Sequence, residues 1–518
     1  MSSTGGRGDR RRGRRSEADL TMTGHERTAT VGQLPTPSTT DSRLPAALTW
    51  LVWLLWGASV CVLALQYSQG DAWKAAGIVS IDGLTAVMWV AATFFSGIVH
   101  SYSRRYLAGS RRIDRFFTRV FGFTVAVMVL VAADSLVLFG GTWLVMGLLM
   151  AGLIGHVDGW PQARAAGSLA RRYFLASSLV LATALGTLWW VTGATTVSGV
   201  ASAVEGTPSP AVLVAAAALL LAAMIQSALV PFHTWLLSSM TAPTPASALM
   251  HAGFVNAGGI LLVRFAPVVT VDPAVLHTVV LVGAVSALGG KLLKSVQPDV
   301  KTRLGCSTVG QMGFMIMQAG LGFFGAAITH LVLHGFYKAY QFLSAGEAID
   351  RTGPSGTPHG TTDVGPIDVA VIGVTGLAGG AVFAALTGKG TSFDGGLLLT
   401  GLVVVTTLHA TWSVLGRRSL PRAVRYGVVP LVFLPAIAAY AGAYVAIAGV
   451  LKRSLPVVTA PAELTVVHAV VAAAFLGVYV AIETGAYRRS DRLYVALVNA
   501  TRPPAETLLT SREEYNEY

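Results

Sequence analysis

Three titratable side chains recur four residues apart in the run ITHLVLHGFYKAYQFLSAGEAI: His330, His334 and Lys338. On an α-helix each four-residue step turns about 40° and climbs about 6 Å, so the three form one polar stripe on an otherwise apolar helix. Such a stripe can hand a proton along. Imidazole accepts on one nitrogen and donates from the other, and a partly dehydrated lysine titrates far below its solution range. Two other roles stay open at this level: interhelical hydrogen bonding alone, or a metal pair. The metal reading is the poorer one, because HxxxH here lacks the glutamate of a zinc-protease helix and no third ligand is suggested.

Further polar residues interrupt apolar sequence nearby. GGKLLKSVQPDVKTRLG holds Lys291, a candidate intramembrane cation, whereas Lys294 and Lys301 are expected to snorkel to the membrane edge. In QSALVPFHTWLLSSMTAPTPASALMHAG, Pro231, Pro243 and Pro245 each remove a backbone donor and predict interrupted helices beside polar side chains, with His251 after the break and Asn256 about one turn on. Unwound backbone at that depth is tolerated where it faces protein or a wet cavity. LTGKGTSFDGG places glycines around Lys389 between two apolar runs and predicts a second interrupted helix. Two such breaks in corresponding halves point to an inverted-repeat transporter.

These residues need a bilayer around them. Of 518 residues 53% are hydrophobic and 12% charged, too few charges to cover a water-soluble domain of this size, and mean hydropathy is +0.61. Apolar runs of spanning length recur along the chain, giving an all-α polytopic membrane protein of about fourteen transmembrane helices. Strand-like alternation is absent, which argues against a barrel. The spans fall near 45–66, 76–99, 117–132, 134–156, 172–193, 210–229, 245–266, 274–296, 303–320, 323–347, 367–387, 396–416, 426–450 and 462–484. Residues 1–44 read as a disordered basic arm, 45–484 as the membrane domain and 485–518 as a tail that lies on the surface or straps onto a partner. No cleavable signal peptide is expected, since the first apolar run is long enough to span.

The net charge of +12 is spread over loops, which excludes a nucleic-acid face and instead sets topology. One set of loops carries Arg104, Arg105, Arg111, Arg112, Arg115, Arg119, Arg171, Arg172, Lys301, Arg303, Arg417, Arg418, Arg422, Arg425, Arg488, Arg489 and Arg492. The other holds Lys74, Arg264, Lys389, Lys452 and Arg453. This asymmetry predicts a multi-pass inner-membrane protein with both termini cytoplasmic. Cys61 and Cys306 are far from any metal or redox spacing and read as packing residues.

The runs PFHTWLLSSMTAPTPASALMHAGFVNAGGILLVRFAP, VQPDVKTRLGCSTVGQMGFM and ITHLVLHGFYKAYQFLSAGEAI resemble the antiporter-like subunits of respiratory complex I and of multisubunit cation/proton antiporters, over roughly residues 76–416. Within that superfamily, LLSSMTAPTPASALMHAGFVNAGG and the ending LYVALVNATRPPAETLLT look most like the DabB family, membrane subunits of DabA/DabB inorganic-carbon pumps. The resemblance implies an antiporter-like inverted repeat with two broken helices. It matches His251 to the family histidine after the broken helix, His330, His334 and Lys338 to the central relay, and Lys389 to the lysine at the second break. Two departures stand out: Leu144 follows Trp143 where complex I subunits have a glutamate, and Gln226 stands where they have a lysine. The first half-channel's gating pair is therefore missing, and a complete route is expected in the second half.

The resemblance further implies a DabA-like zinc partner in which carbon dioxide becomes bicarbonate, while this subunit supplies cation flow, expected to be protons. No cofactor and no metal are expected in this chain, and its other neighbours would be membrane lipids. Three alternatives compete: a proton-translocating subunit of a respiratory NADH-quinone oxidoreductase, an Mrp-type sodium/proton antiporter component, and a non-conducting membrane scaffold for a soluble enzyme. The missing charges at Leu144 and Gln226 count against the respiratory reading and keep the scaffold open.

Overall fold

The computed structural model describes residues 42–204, 208–346, 365–415, 426–427, 429–454, 462–504 and 507. The arm up to Asp41, nearly all of the expected loop 348–366, the tail end 508–518 and the arginines Arg417, Arg418, Arg422 and Arg425 lie outside the described residues.

Every backbone N–H and C=O in lipid must find its partner within the spanning segment, and the described chain is accordingly almost all helix. Helix α1 (Leu44–Gln69) ends in a left-handed Gly70 and leads into the one small sheet among the described residues, β1 (Trp73–Ala75) paired antiparallel with β2 (Val79–Ile81), Trp73 opposite Ile81. Then follow α2 (Gly83–Tyr106), α3 (Ile113–Ala132), α4 (Leu136–Ile154), α5 (Pro161–Thr192), the short α6 (Val197–Val204) and α7 (Pro210–Gln226). Beyond a break come α8 (Thr234–Ser238), α9 (Thr244–Ala252), α10 (Ala257–Arg264), α11 (Ala266–Val269), α12 (Pro273–Ser295), α13 (Val300–Gly320) and α14 (Phe324–Leu343). The last part is α15 (Pro366–Thr387), α16 (Gly395–Leu415), α17 (Val429–Ser454), α18 (Val466–Glu483) and α19 (Asp491–Ala500). Side chains cap several starts: Asp82 accepts from Thr85 N at 2.9 Å, and Asp299 from Thr302 N at 2.7 Å.

Of the fourteen spans read from sequence, eleven correspond to helices long and apolar enough to cross a membrane, with α9 and α10 counted together as Thr244–Arg264. The other three are helical but fall short: α7 has 17 residues, and α13 and α14, though 21 and 20 residues long, mix their apolar residues with Lys301, Arg303, Gln311 and Gln318, or with His330, His334 and Lys338. A helix surrounded by other helices has no need of an apolar coat all round, and α13 and α14 are buried over most of their length. Small residues allow that enclosure. A Cβ at Gly283 or Gly290 of α12, or at Gly313 of α13, would collide with the other helix's backbone, so the pair packs at closer range than any larger side chain permits. On the outside, Trp50, Leu54, Val137 and Trp190 are largely exposed, as lipid-facing residues are.

The breaks differ from the proline reading. Only Pro231 lies in an interruption, the stretch after Gln226 where Ala228 takes a left-handed conformation (φ 54°). Pro243 caps α9 and Pro245 sits in its first turn, where a missing N–H costs no helical hydrogen bond. A second discontinuity follows at once: a single 3-10 turn, Phe254–Asn256, separates α9 from α10 just beyond His251. At Lys389 the expected interruption is a seven-residue connection between two continuous helices, α15 and α16, turned by Gly388 and Gly390 at positive φ.

Two residues are placed otherwise than expected. Arg264 is no loop residue: it is 8% exposed and grips Asp82 with both terminal nitrogens, at 2.5 and 3.0 Å, while also donating to Val131 O. This bidentate pair ties the end of α10 to the start of α2 and the last turn of α3. Cys306 does pack, against Leu237 and Leu293, but Cys61 is exposed on α1.

Candidate ion pathway

The stripe forms as its spacing dictates, and it faces protein. His330, His334 and Lys338 are 8%, 5% and 0% exposed, which removes all three from lipid. The imidazoles of His330 and His334 stand 5.9 Å apart between centroids, and the ring of Phe314 on α13 lies 5.4 Å from that of His330. Lys338 Nζ donates to Leu304 O on α13 at 2.8 Å. The same carbonyl accepts from Thr308 Oγ1 at 3.0 Å, and Thr308 Oγ1 is 2.9 Å from His251 Nδ1. One buried carbonyl of α13 thus couples the lysine of α14 to the histidine of α9. His251, fully buried, also stacks on Phe342, the next residue in the four-residue series, at 4.3 Å. The Nε2 atoms of His251 and His334 have no hydrogen-bond partner among the described residues. Each retains an open valence for proton exchange.

Lys389 extends the row from the far end. Its ammonium sits 4.6 Å over the ring of Phe323, the residue just before α14, so along that helix it stands about 10 Å before His330 and about 22 Å before Lys338. Burial holds this ammonium below its ordinary range, with the Asp394 carboxylate pulling the other way. Lys291 is not part of the row: its Nζ is 2.6 Å from His409 Nε2 on α16.

The first half is built differently. Trp143 Nε1 donates to Ser177 Oγ at 3.2 Å, and that hydroxyl donates to Ala222 O at 3.0 Å, which links α4, α5 and α7 with neutral groups. Leu144 beside it is half-buried. Gln226, one turn beyond Ala222, is fully buried, and neither amide atom has a partner among the described residues. Nearby, Trp235 Nε1 donates to Ile225 O, and its ring packs with Phe174 and Phe254, ring centroids 4.6 to 5.8 Å apart.

Sequence reasoning singled out the row but missed its connectors, Thr308 and the Leu304 carbonyl, because a threonine on an apolar helix gives no signal of its own. His409 and Glu483 did carry one: each is a lone ionisable residue in an apolar run, TTLHATW and VYVAIETG. Among the described residues no group of three or more His, Cys, Asp or Glu is arranged to hold a metal ion.

Comparison with known proteins gives this geometry a context. Residues 133–415 match the family described as NADH:quinone oxidoreductase/Mrp antiporter, TM, and residues 78–117 match the NADH-Ubiquinone oxidoreductase (complex I), chain 5 N-terminus. The chain is 39% identical over 302 residues to a probable inorganic carbon transporter subunit DabB1 of Halothiobacillus neapolitanus, covering 57% of this chain and 53% of that protein. It is 37% identical over 344 residues to a probable inorganic carbon transporter subunit DabB of Bacillus subtilis, covering 64% of this chain and 65% of that one. The matches thus span less than two thirds of either relative. The fold also resembles the structure of an Mrp complex from Dietzia sp., with a TM-score of 0.52 and 21% identity over 92% of this chain and 53% of the other. With a family match over more than half its length and a helical membrane fold of the same kind, this chain belongs to the transmembrane family of NADH:quinone oxidoreductase and Mrp antiporter subunits.

Proposed function

We propose that this protein is the membrane subunit of an inorganic-carbon accumulation pump, conducting cations, and specifically protons, to drive a DabA-like zinc partner. The observation that carries the reading is the buried series His330, His334 and Lys338, joined through Leu304 O and Thr308 to His251. Ionisable groups in lipid cost several kcal/mol each and are retained where something charged must pass. Lys389, His330, His334 and Lys338 divide about 22 Å of a hydrocarbon core of about 30 Å into short steps. Each histidine can take a proton on one nitrogen while releasing one from the other, and Lys338 exchanges its proton while the Leu304 carbonyl holds the amine in place. The first half, neutral at Leu144 and Gln226, serves in this reading as a packed wall beside the route.

The carbon substrate and the partner come from the DabB relatives. The zinc-bound chemistry, hydration of carbon dioxide to bicarbonate, would be the partner's, and proton flow here would make it one-way. The arginine asymmetry supports a topology with both termini cytoplasmic, and it sharpens once Arg264 leaves the opposite set. A second reading, a subunit of a respiratory or Mrp-type complex, draws on the family match itself. Purification separates the two: a single large zinc-containing partner supports the pump, and many subunits with flavin and iron support the respiratory complex. In a strain lacking carbonic anhydrase, His330→Ala, Lys338→Ala and Lys389→Ala should each abolish carbon uptake. Full uptake in all three would leave a non-conducting scaffold.

A further inference from the structure

A second chain of ionisable groups lies outside the row. Lys291 of α12 places Nζ 2.6 Å from His409 Nε2 of α16, and His409 Nδ1 hydrogen-bonds Glu483 Oε1 at the last residue of α18. Three helices distant in sequence thus contribute an ammonium, an imidazole and a carboxylate in line. The partners fix the tautomer: Nε2 accepts from the lysine, and Nδ1–H donates to the carboxylate. The ring of Tyr479, one turn before Glu483, lies 6.3 Å from that of His409 and nearly perpendicular to it. His409 is 32% and Glu483 12% exposed, so the pair is neither sealed off nor freely solvated. Glu483 is also where α18 gives way to Gly485 and the Arg488–Arg489 pair, a membrane boundary by composition.

We propose that Lys291, His409 and Glu483 form a second proton station, through which the Lys338 row exchanges protons at the end of the membrane marked by Arg488 and Arg489. This rests on the proton-conducting reading above and adds two residues to it. The step balances within the chain. Lys291 gives a proton from Nζ to His409 Nε2 as His409 gives its Nδ1 proton to Glu483 Oε1. A neutral amine, the other imidazole tautomer and a neutral carboxylic acid remain. Glu483 then releases its proton to water, and Lys291 is recharged from the row's side. Lys291 and the carbonyl that holds Lys338 lie on adjoining helices: α12 packs on α13 at this level, a Cβ on Gly310 of α13 falling 3.5 Å from Lys291 N, and α13 carries Leu304.

A relay and a mere interhelical staple respond differently to isosteric neutralisation. Glu483→Gln and Lys291→Gln keep polar atoms on both sides of the imidazole but cannot titrate. In membrane vesicles holding the assembled complex, proton flux read by a pH-sensitive dye should drop by about tenfold in either variant, with the amount of complex unchanged. His409→Ala should lose flux as well, and added imidazole should restore part of it. Parent-level flux in Glu483→Gln, or a His409→Ala defect that imidazole leaves untouched, would overturn the station. Were the parent complex itself unable to conduct, the function proposed above would fall and the station with it. A conducting parent with unaffected variants removes the station alone.

Discussion

The two halves of the membrane domain handle polarity in opposite ways. Around α13 and α14 an ammonium and three imidazoles are buried, and one carbonyl, Leu304 O, joins Lys338 through Thr308 to His251. Around α4, α5 and α7 the interior is a stack of aromatic rings, and the polar contacts are neutral, from Trp143 to Ser177 to Ala222 O. A buried ion pair between α10 and the start of α2, Arg264 with Asp82, is closed on itself, and the guanidinium also donates to Thr85 Oγ1 and Val131 O. Charge that is fully paired fixes a structure; charge left with open hydrogen-bond capacity can be passed on. The comparison therefore teaches that substitutions in the first half should register as stability and those in the second as flux.

Asp82→Ala tests the first half most severely. It leaves the Arg264 guanidinium buried without its counter-charge, and thermal unfolding in detergent should show a loss of about 3–5 kcal/mol. His334→Gln tests the second: proton flux should fall on the order of 100-fold while the melting temperature moves little, since glutamine nearly fills the place of the buried imidazole but cannot titrate. Restoring charge to the neutral half sharpens the contrast. Gln226→Lys alone should destabilise the chain, and adding Leu144→Glu should recover about 1–3 kcal/mol as a coupling energy in a double-mutant cycle, because the Trp143–Ser177–Ala222 chain holds α4 close to α7. Trp143→Phe, which removes one hydrogen bond of that chain, should cost about 1 kcal/mol and leave flux at the parental rate.

The smallest effect expected is one of pH. His156, just beyond α4, is held at about 4 by burial and then by Arg119, Arg115 and Arg112, against an ordinary value of 6.5. Its folded form is neutral, so its contribution to stability is complete above about 6.5 and is lost as pH falls toward 4. His156→Gln should flatten the melting temperature across that window.

Much of this was legible in the sequence because period and burial cost are local properties. The i, i+4, i+8 spacing placed His330, His334 and Lys338 on one face, and the expense of burying them marked the helix as inward-facing. Hydropathy failed on the same residues: α13 and α14 are too polar to count as spans by composition, although the apolar pattern around them placed helices there. Proline was read too literally, since Pro243 and Pro245 open a helix that a break was expected to occupy. Long-range pairings could not be read at all. Nothing local joins Arg264 to Asp82 across 182 positions, or Lys291 to His409 and Glu483; those partners are chosen by helix packing, which one sequence does not display.

The central claim is that the row on α14 carries protons. Proton flux into vesicles containing the complex, compared between the parent and Lys338→Gln, tests it most directly, since the amide can still donate to Leu304 O but cannot exchange a proton at neutral pH. Flux lowered on the order of 100-fold, with the complex intact, is the result predicted. Undiminished flux in Lys338→Gln would contradict the account.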